Sequence, residues 1–139
     1  MSAMNVVGSA GHSPAPPSHV LLIEDEALIA FEAEDLLGDL GVGEVSLCAN
    51  YEQAERAIDD LESKGTGNGD LPLGLFDMNL NGRLSTPLIE RFVALGGKVV
   101  VATGYELDPE MVERLGVVHL VKPYDEHRLR RALDALGGR

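Results

Sequence analysis

The chain has 139 residues, of which 45% are hydrophobic and 4% aromatic, with one cysteine and no tryptophan. This length and apolar content fit one globular domain with a mainly aliphatic core. The net charge of −12 argues against nucleic-acid binding, because phosphate backbones attract Lys- and Arg-rich surfaces. The single cysteine, Cys48, excludes a disulfide framework and a cysteine-based zinc set, and we predict it to be a small core residue.

The charge is distributed unevenly along the chain. No lysine or arginine precedes Arg56, so the first part of the sequence is almost purely anionic. Two interpretations stay open: an acidic face toward a partner that is not itself acidic, or a solvated face that keeps the protein soluble. No apolar run approaches the roughly 18–20 residues of a membrane helix, and the N-terminus lacks the features of a signal peptide. We therefore expect a cytoplasmic protein that does not bind membranes.

The beginning of the chain is predicted to be a tail followed by a strand and a helix. Residues 1–18 are rich in Gly, Ser and Pro and cannot bury enough apolar area to offset their ordering entropy, so we predict a flexible tail. The domain, residues 19–139, begins with the apolar run His19–Ile23, a predicted strand. A helix is predicted over 27–40, because its apolar residues recur at helical spacing and Gly41 supplies a stop.

The rest of the chain continues this alternation. Asn50 is a predicted helix cap, with Gln53 three residues later completing a capping-box pattern. Two connections, over 64–72 and 78–86, are predicted to be loops. Five strand–helix repeats indicate parallel strands joined by right-handed helical crossovers, with helices on both faces of the sheet. The remaining strands are predicted over 45–49, 73–77, 98–102 and 117–121, and the remaining helices begin at Thr86–Pro87, Asp108 and Asp125.

Chemically useful side chains close four of the predicted strands. Glu24 and Asp25 follow the first strand, and Asp77 closes the third. Thr103 follows the fourth strand and Lys122 follows the fifth. Ligands bind open parallel sheets outside the carboxyl ends of the strands, so we expect these side chains to form one site.

The predicted set of side chains suits phosphoryl chemistry. Three neighbouring carboxylates repel one another unless a cation or protons intervene, and Mg²⁺ is the natural oxygen-liganded cation. An ammonium and a hydroxyl beside them could stabilise a phosphoryl group in transfer and then an aspartyl phosphate. Taken singly, each residue also has a plainer interpretation. Glu24 and Asp25 suit a helix N-terminus, Asp77 could cap its loop, and Thr103 and Lys122 could be ordinary solvated strand-end residues.

Four segments, HVLLIEDE, LGLFDMNL, VVVATGYE and HLVKPYDE, resemble the four motif regions of a response-regulator receiver domain. The resemblance covers residues 19–137. VATGY is also similar to the FATGUY subgroup of receivers, with Val101 in place of Phe and Tyr105 directly after Gly104. The family implies an α/β, doubly wound, five-stranded parallel sheet with helices on both faces, flavodoxin-like with strand order 2-1-3-4-5.

The resemblance also implies a function for the carboxylates. Receivers take a phosphoryl group from a kinase phosphohistidine onto an aspartate in the presence of Mg²⁺. By position, Asp77 is the acceptor and Asp25 a direct metal ligand. Glu24 would act through a metal-bound water, and Asn79 would offer its backbone carbonyl to the metal.

Three further positions receive roles in the same way. Thr103 and Lys122 would bind phosphoryl oxygens, with Thr103 moving to do so. Pro123 would hold the following loop, and a cis peptide is one way to do this. The sequence departs from the family at Glu24, where most receivers have Asp, and at His119, where many have Tyr or Phe. A Tyr or Phe flip at 119 is therefore not expected. Two alternatives stay open, a rearrangement of segment 104–115 as a whole, which we favour, and Tyr105 acting as the aromatic element.

These inferences favour a single-domain response regulator of a two-component phosphorelay. Its partners would be a sensor histidine kinase, of the HWE or a related class, and an unidentified downstream protein. It would be no enzyme in the usual sense but a phosphoacceptor that promotes its own phosphorylation and dephosphorylation. The first alternative is an aspartate-nucleophile phosphatase of haloacid-dehalogenase type, suggested by Asp77-Met78-Asn79, although that class places its nucleophile after the first strand. The second is a receiver-like binding module that is never phosphorylated.

Overall fold

A computed structural model describes residues 15–65 and 71–137. Positions 1–14 of the predicted tail over 1–18 lie outside the described residues. So do positions 66–70 of the predicted connection over 64–72. Strands and helices alternate through the described chain. They are β1 (His19–Ile23), α1 (Ala27–Asp39), β2 (Glu44–Cys48), α2 (Tyr51–Lys64), β3 (Leu73–Asp77), β4 (Asn79–Leu80), β5 (Arg83–Leu84), α3 (Thr86–Ala94), β6 (Val99–Thr103), α4 (Pro109–Leu115), β7 (Val118–Val121) and α5 (Glu126–Gly137).

Five of the strands form one parallel sheet in the order β2-β1-β3-β6-β7. With the two short strands β4 and β5 set aside, this is the predicted order 2-1-3-4-5. The register pairs Ile23 with Phe76 and Asp77 with Ala102, so the carboxyl ends of the central strands lie level. The predicted flavodoxin-like fold is confirmed, and with it the shared edge at which the predicted site residues should meet.

Apolar side chains fill both faces of the sheet, as expected for strands covered by helices on each side. On one face, α2, α3 and α4 pack against the sheet, and the rings of Phe76 and Phe92 meet with centroids 5.3 Å apart. On the other face, α1 and α5 pack over Leu22 and Val100. Cys48 is buried, as predicted. Among the described helices, none combines the length and apolar content that a bilayer-spanning helix requires.

The predicted helix caps are present. Asn50 Oδ1 accepts a hydrogen bond from the Gln53 backbone N–H at 2.8 Å, and Gln53 Oε1 in turn accepts from the Ala49 N–H at 2.8 Å. Asp125 Oδ1 caps α5 by accepting from the Arg128 N–H at 2.8 Å. Gly116 ends α4 in the left-handed conformation, with φ 72°. Local sequence signals therefore set these helix ends.

The prediction of a loop over 78–86 was wrong. Strands β4 and β5 form an antiparallel hairpin there, in which Leu80 pairs with Arg83. The two turn residues, Asn81 and Gly82, have φ of 57° and 88°, the positive values that a two-residue type I′ turn requires. Asn-Gly is the strongest short hairpin signal, but strands of two residues are too short to show an alternating pattern.

A few predicted boundaries shift by one residue. Strand β2 begins and ends one residue earlier than predicted, and β6 begins and ends one residue later. Thr103 is therefore the last residue of its strand rather than the residue after it. Helix α3 begins at Thr86 with Ser85 as its N-cap, so Pro87 is its second residue and not its first.

Gly97 should tolerate no side chain. A Cβ added there would lie 2.4 Å from two ring atoms of Phe92 and 2.8 Å from the Phe92 carbonyl oxygen. We expect Gly97→Ala to lower the free energy of unfolding by about 1–3 kcal/mol, because the core must shift to admit the methyl group. Gly38→Ala is the matched control, since a Cβ there meets nothing within 4 Å and alanine suits a helix interior. That control should gain about 0.5–1 kcal/mol. Urea unfolding followed by circular dichroism measures both, and equal stability of Gly97→Ala and wild type would contradict the packing.

Candidate functional site

The carboxyl edge of the sheet brings three carboxylates together. Glu24, Asp25 and Asp77 each offer an oxygen within 4.8 Å of the other two. Glu24 and Asp77 are buried, with 4% and 8% exposure, and Asp25 is half-buried. The Glu24 backbone N–H donates to the Cys48 carbonyl at 3.1 Å, which ties the end of β1 to the end of β2. The acidic cluster that the sequence predicted is therefore present.

Lys122 reaches into this cluster from the end of β7. Its Nζ lies 2.9 Å from Glu24 Oε1 and 2.9 Å from Asp77 Oδ2. The Lys122 backbone N–H donates to the Thr103 carbonyl at 2.6 Å, which fixes where the side chain starts. The Lys122–Pro123 peptide bond is cis. One ammonium among three carboxylates leaves an excess of negative charge, so the residues present fit a divalent cation with oxygen ligands.

The electrostatics of the Glu24–Lys122 pair follow from burial. Burial raises the pKa of Glu24 to about 7, although hydrogen bonds from Lys122 and the Glu26 N–H act against the rise. The charge of Asp77 adds to it. For Lys122, burial lowers the pKa, but the hydrogen bonds to Glu24 and Asp77 outweigh it and the pKa is raised. Lys122 thus stays charged, and Glu24 holds a proton below about pH 7 when no cation replaces it.

Backbone and hydroxyl groups hold Asp77 from the side of the β4–β5 hairpin. The Asn79 N–H donates to Asp77 Oδ1 at 3.1 Å. The hydroxyl of Ser85, which has no exposed surface, donates to the Asp77 carbonyl at 2.7 Å. Asn79, predicted as a backbone ligand of the metal, therefore lies beside the acceptor. Ser85 was not among the predicted site residues, although its position just before Thr86–Pro87 marks it as a helix N-cap candidate.

Thr103 lies at the same edge, but its hydroxyl points to other partners. It is buried, its Oγ1 donates to the Tyr105 carbonyl, and it lies 2.8 Å from His119 Nε2. Because the single hydroxyl proton goes to Tyr105, the His119 Nε2 must carry the hydrogen of the second bond. His119 was noted in the sequence only as a departure at an aromatic position. Its contact with Thr103 depends on the pairing of β6 with β7.

The first helix presents an acidic surface beside this site. Glu32, Asp35 and Asp39 are exposed, whereas Glu34 is half-buried. Two large apolar side chains on this helix are also exposed and were not predicted, Leu28 at 77% and Phe31 at 60%. A groove of about 620 Å³ separates this helix from the chain that follows Lys122. Its lining includes Ile29, Glu32, Leu36, Pro123, Tyr124 and Glu126.

The raised pKa of Glu24 predicts a pH-dependent stability. The unfolded chain loses the Glu24 proton near pH 4.5, whereas the folded protein keeps it until about pH 7. The folded state binds more protons in this window, so this contribution to the free energy of unfolding is full below it and lost as pH rises through it. Glu24→Gln should remove the slope, which approaches about 1.4 kcal/mol per pH unit. Urea unfolding in EDTA between pH 4.5 and 7.5 compares the two slopes, and equal slopes would refute the assignment.

Several solved structures are similar to this chain. No protein-family model matches the sequence, and no curated protein matches it significantly. Solved structures do match. SdrG from Sphingomonas melonis Fr1 is 29% identical, with a TM-score of 0.69 over 88% of this chain and 98% of that chain. The receiver domain of the hybrid histidine kinase CckA is 26% identical, with a TM-score of 0.60 over 81% of this chain and 93% of that chain.

Matches at lower identity share the fold. A CheY-like receiver domain protein from Methanospirillum hungatei JF-1 is 22% identical, with a TM-score of 0.65 over 88% of this chain and 98% of that chain. The receiver domain of the Arabidopsis thaliana histidine kinase CKI1, solved with Mg²⁺ and BeF₃⁻, is 16% identical, with a TM-score of 0.67 over 88% of this chain and 91% of that chain. Together with the strand order, these matches give the chain the fold of the CheY-like response-regulator receiver domains, the fold that its motifs predict.

Proposed function

We propose that this chain is a response regulator in which Asp77 accepts a phosphoryl group from a histidine kinase phosphohistidine. The observation that carries the proposal is the buried Asp77 carboxylate at the end of the central strand, in contact with Lys122 and beside Glu24 and Asp25. An aspartate needs such surroundings to act as a nucleophile toward a phosphoryl group, because charge compensation must already be in place when the phosphoryl oxygens arrive.

The transfer is a substitution at phosphorus. A carboxylate oxygen of Asp77 attacks, the phosphorus–nitrogen bond of the phosphohistidine breaks, and the electron pair of that bond stays on the imidazole. Asp77 then carries an acyl phosphate. Lys122, 2.9 Å from Asp77 Oδ2, is placed to pair with a phosphoryl oxygen. When bound, Mg²⁺ would supply charge compensation between the carboxylates and the phosphoryl group. Glu24, Asp25, Asp77 and the Asn79 carbonyl are the groups that would hold it.

Thr103 would convert phosphorylation into a change of surface. To meet a phosphoryl oxygen, its hydroxyl must leave the Tyr105 carbonyl and His119, the partners that it has now. The contact with Tyr105 ties Thr103 to segment 104–115, which contains the seven-residue helix α4. Release of the Tyr105 contact would loosen this segment, since short helices with few buried residues open at low free-energy cost.

The partners would be proteins. The exposed carboxylates of α1, with Leu28 and Phe31 beside them, form a surface on which a sensor histidine kinase would dock. The resemblance to FATGUY receivers suggests a kinase of the HWE or a related class. The output would be a contact with a downstream protein in the cytoplasm, without a separate substrate. A phosphatase of haloacid-dehalogenase type is disfavoured, because Asp77 ends β3 whereas that class carries its nucleophile after the first strand.

Phosphorylation should occur on Asp77 alone and should require Mg²⁺. Incubation with a small phosphodonor such as acetyl phosphate, followed by intact-mass measurement and adduct mapping, should give one phosphoryl adduct on the wild type. Asp77→Asn should give none, because an amide cannot form an acyl phosphate, and EDTA should prevent labelling of the wild type. A stable adduct on Asp77→Asn, or full labelling in EDTA, would refute the proposed function.

The signal should leave the site through Thr103. With the phosphoryl mimic BeF₃⁻ and Mg²⁺, backbone NMR signals of 105–115 should shift more than those of 54–61 on α2. Thr103→Ala should erase this response while Asp77 still accepts phosphate, because the hydroxyl that joins the two regions is gone. His119→Ala should keep most of it, since the Thr103 hydroxyl remains. Loss of the response in His119→Ala would instead identify the histidine as the moving element.

A further inference from the structure

One arginine of the β4–β5 hairpin contacts α2. The Arg83 guanidinium carbon lies 3.5 Å from the centre of the Tyr51 ring, a cation–π contact, and its Nη1 lies 3.4 Å from Glu52 Oε2. Tyr51 is buried, with 6% exposure, so its ring is a fixed platform at the first turn of α2. The stack therefore ties the hairpin to a helix that packs on the sheet.

The other end of the hairpin meets Asp77. The Asn79 N–H donates to Asp77 Oδ1 at 3.1 Å, and the Gly82 N–H donates to Asn79 Oδ1 at 2.6 Å. Within the hairpin Leu80 pairs with Arg83, so the residue that stacks on Tyr51 lies opposite the neighbour of Asn79. One short hairpin thus lies between the surface of α2 and the Asp77 carboxylate.

Hairpins of this size do not hold their own position. Each strand has two residues, and an isolated two-stranded hairpin is at best marginally stable in water. Its placement depends on contacts that its own side chains make with the rest of the protein. The buried Leu80 is the anchor toward the core, and the Arg83–Tyr51 stack is the anchor toward α2.

We propose that Arg83 is a positioning residue for the phosphoacceptor site. By stacking on Tyr51 it holds Asn79 in place, so that the Asn79 N–H stays on Asp77 and its carbonyl stays available to the cation. This inference rests on the proposed function of Asp77. Arg83 would then influence cation affinity and phosphorylation rate from the protein surface, away from the reacting atoms.

The test is Mg²⁺ binding by isothermal titration calorimetry, without phosphodonor. Arg83→Ala and Arg83→Met should weaken Mg²⁺ binding about two- to fivefold, the value of one exposed cation–π contact. Amide exchange of Gly82 should accelerate in both variants, because its acceptor Asn79 is no longer fixed. Tyr51→Phe should keep wild-type affinity and exchange, since a phenylalanine ring preserves the platform.

Arg91→Ala is the matched control. Arg91 also bonds to α2, through Asp59 and Glu62 at 2.6 Å each, but it does so from α3 and touches nothing in the hairpin among the described contacts. It should leave Mg²⁺ affinity and Gly82 exchange unchanged, which separates a role of the hairpin anchor from a general loss of stability.

The outcomes separate this inference from the proposed function. Wild-type protein that neither binds Mg²⁺ nor labels on Asp77 would refute both. Wild-type protein that does both, with Arg83→Ala and Arg83→Met of equal Mg²⁺ affinity, would refute the positioning role alone. Weaker binding in Arg91→Ala to the same extent would refute it as well.

Discussion

The structure depends on charge compensation at one edge of a parallel sheet. Glu24 and Asp77 are buried within reach of each other, and Lys122 bonds to both at 2.9 Å. Buried carboxylates without a partner would destabilise the fold strongly, so the ammonium is a structural requirement as well as a chemical one. One ammonium does not balance three carboxylates, and the remaining excess of negative charge is of the kind that a cation would neutralise.

The same constraint links the site to the outer surface. Lys122 follows β7, and its backbone N–H bonds to the carbonyl of Thr103 at the end of β6. The Thr103 hydroxyl bonds to Tyr105 and His119. Under the proposed function, a phosphoryl group on Asp77 would act on segment 104–115 by competing for this one hydroxyl. On the opposite side the β4–β5 hairpin couples Asp77 to α2 through Arg83 and Tyr51.

Local patterns in the sequence determined much of the molecule. The five apolar runs became the five strands of the sheet, and Asn50, Asp108 and Asp125 became helix caps. The residues at the strand ends followed, because parallel strands necessarily place their carboxyl ends at one edge. The acidic cluster, Lys122 and the cis bond before Pro123 are therefore where the order of motifs placed them.

Only the tertiary structure decided the contacts between residues distant in sequence. The pairing of β6 with β7 brings His119 to Thr103. Arg83 contacts the ring of Tyr51, although 31 residues lie between them in the sequence. Strands of two residues carry no periodic signal, so the sequence predicts a loop where the structure has the β4–β5 hairpin. Local sequence patterns also do not give the degree of burial, and burial is the main cause of the raised pKa of Glu24. Local backbone and solvent preferences in the sequence determine whether a segment forms a helix or a strand. Long-range packing decides which side chains meet.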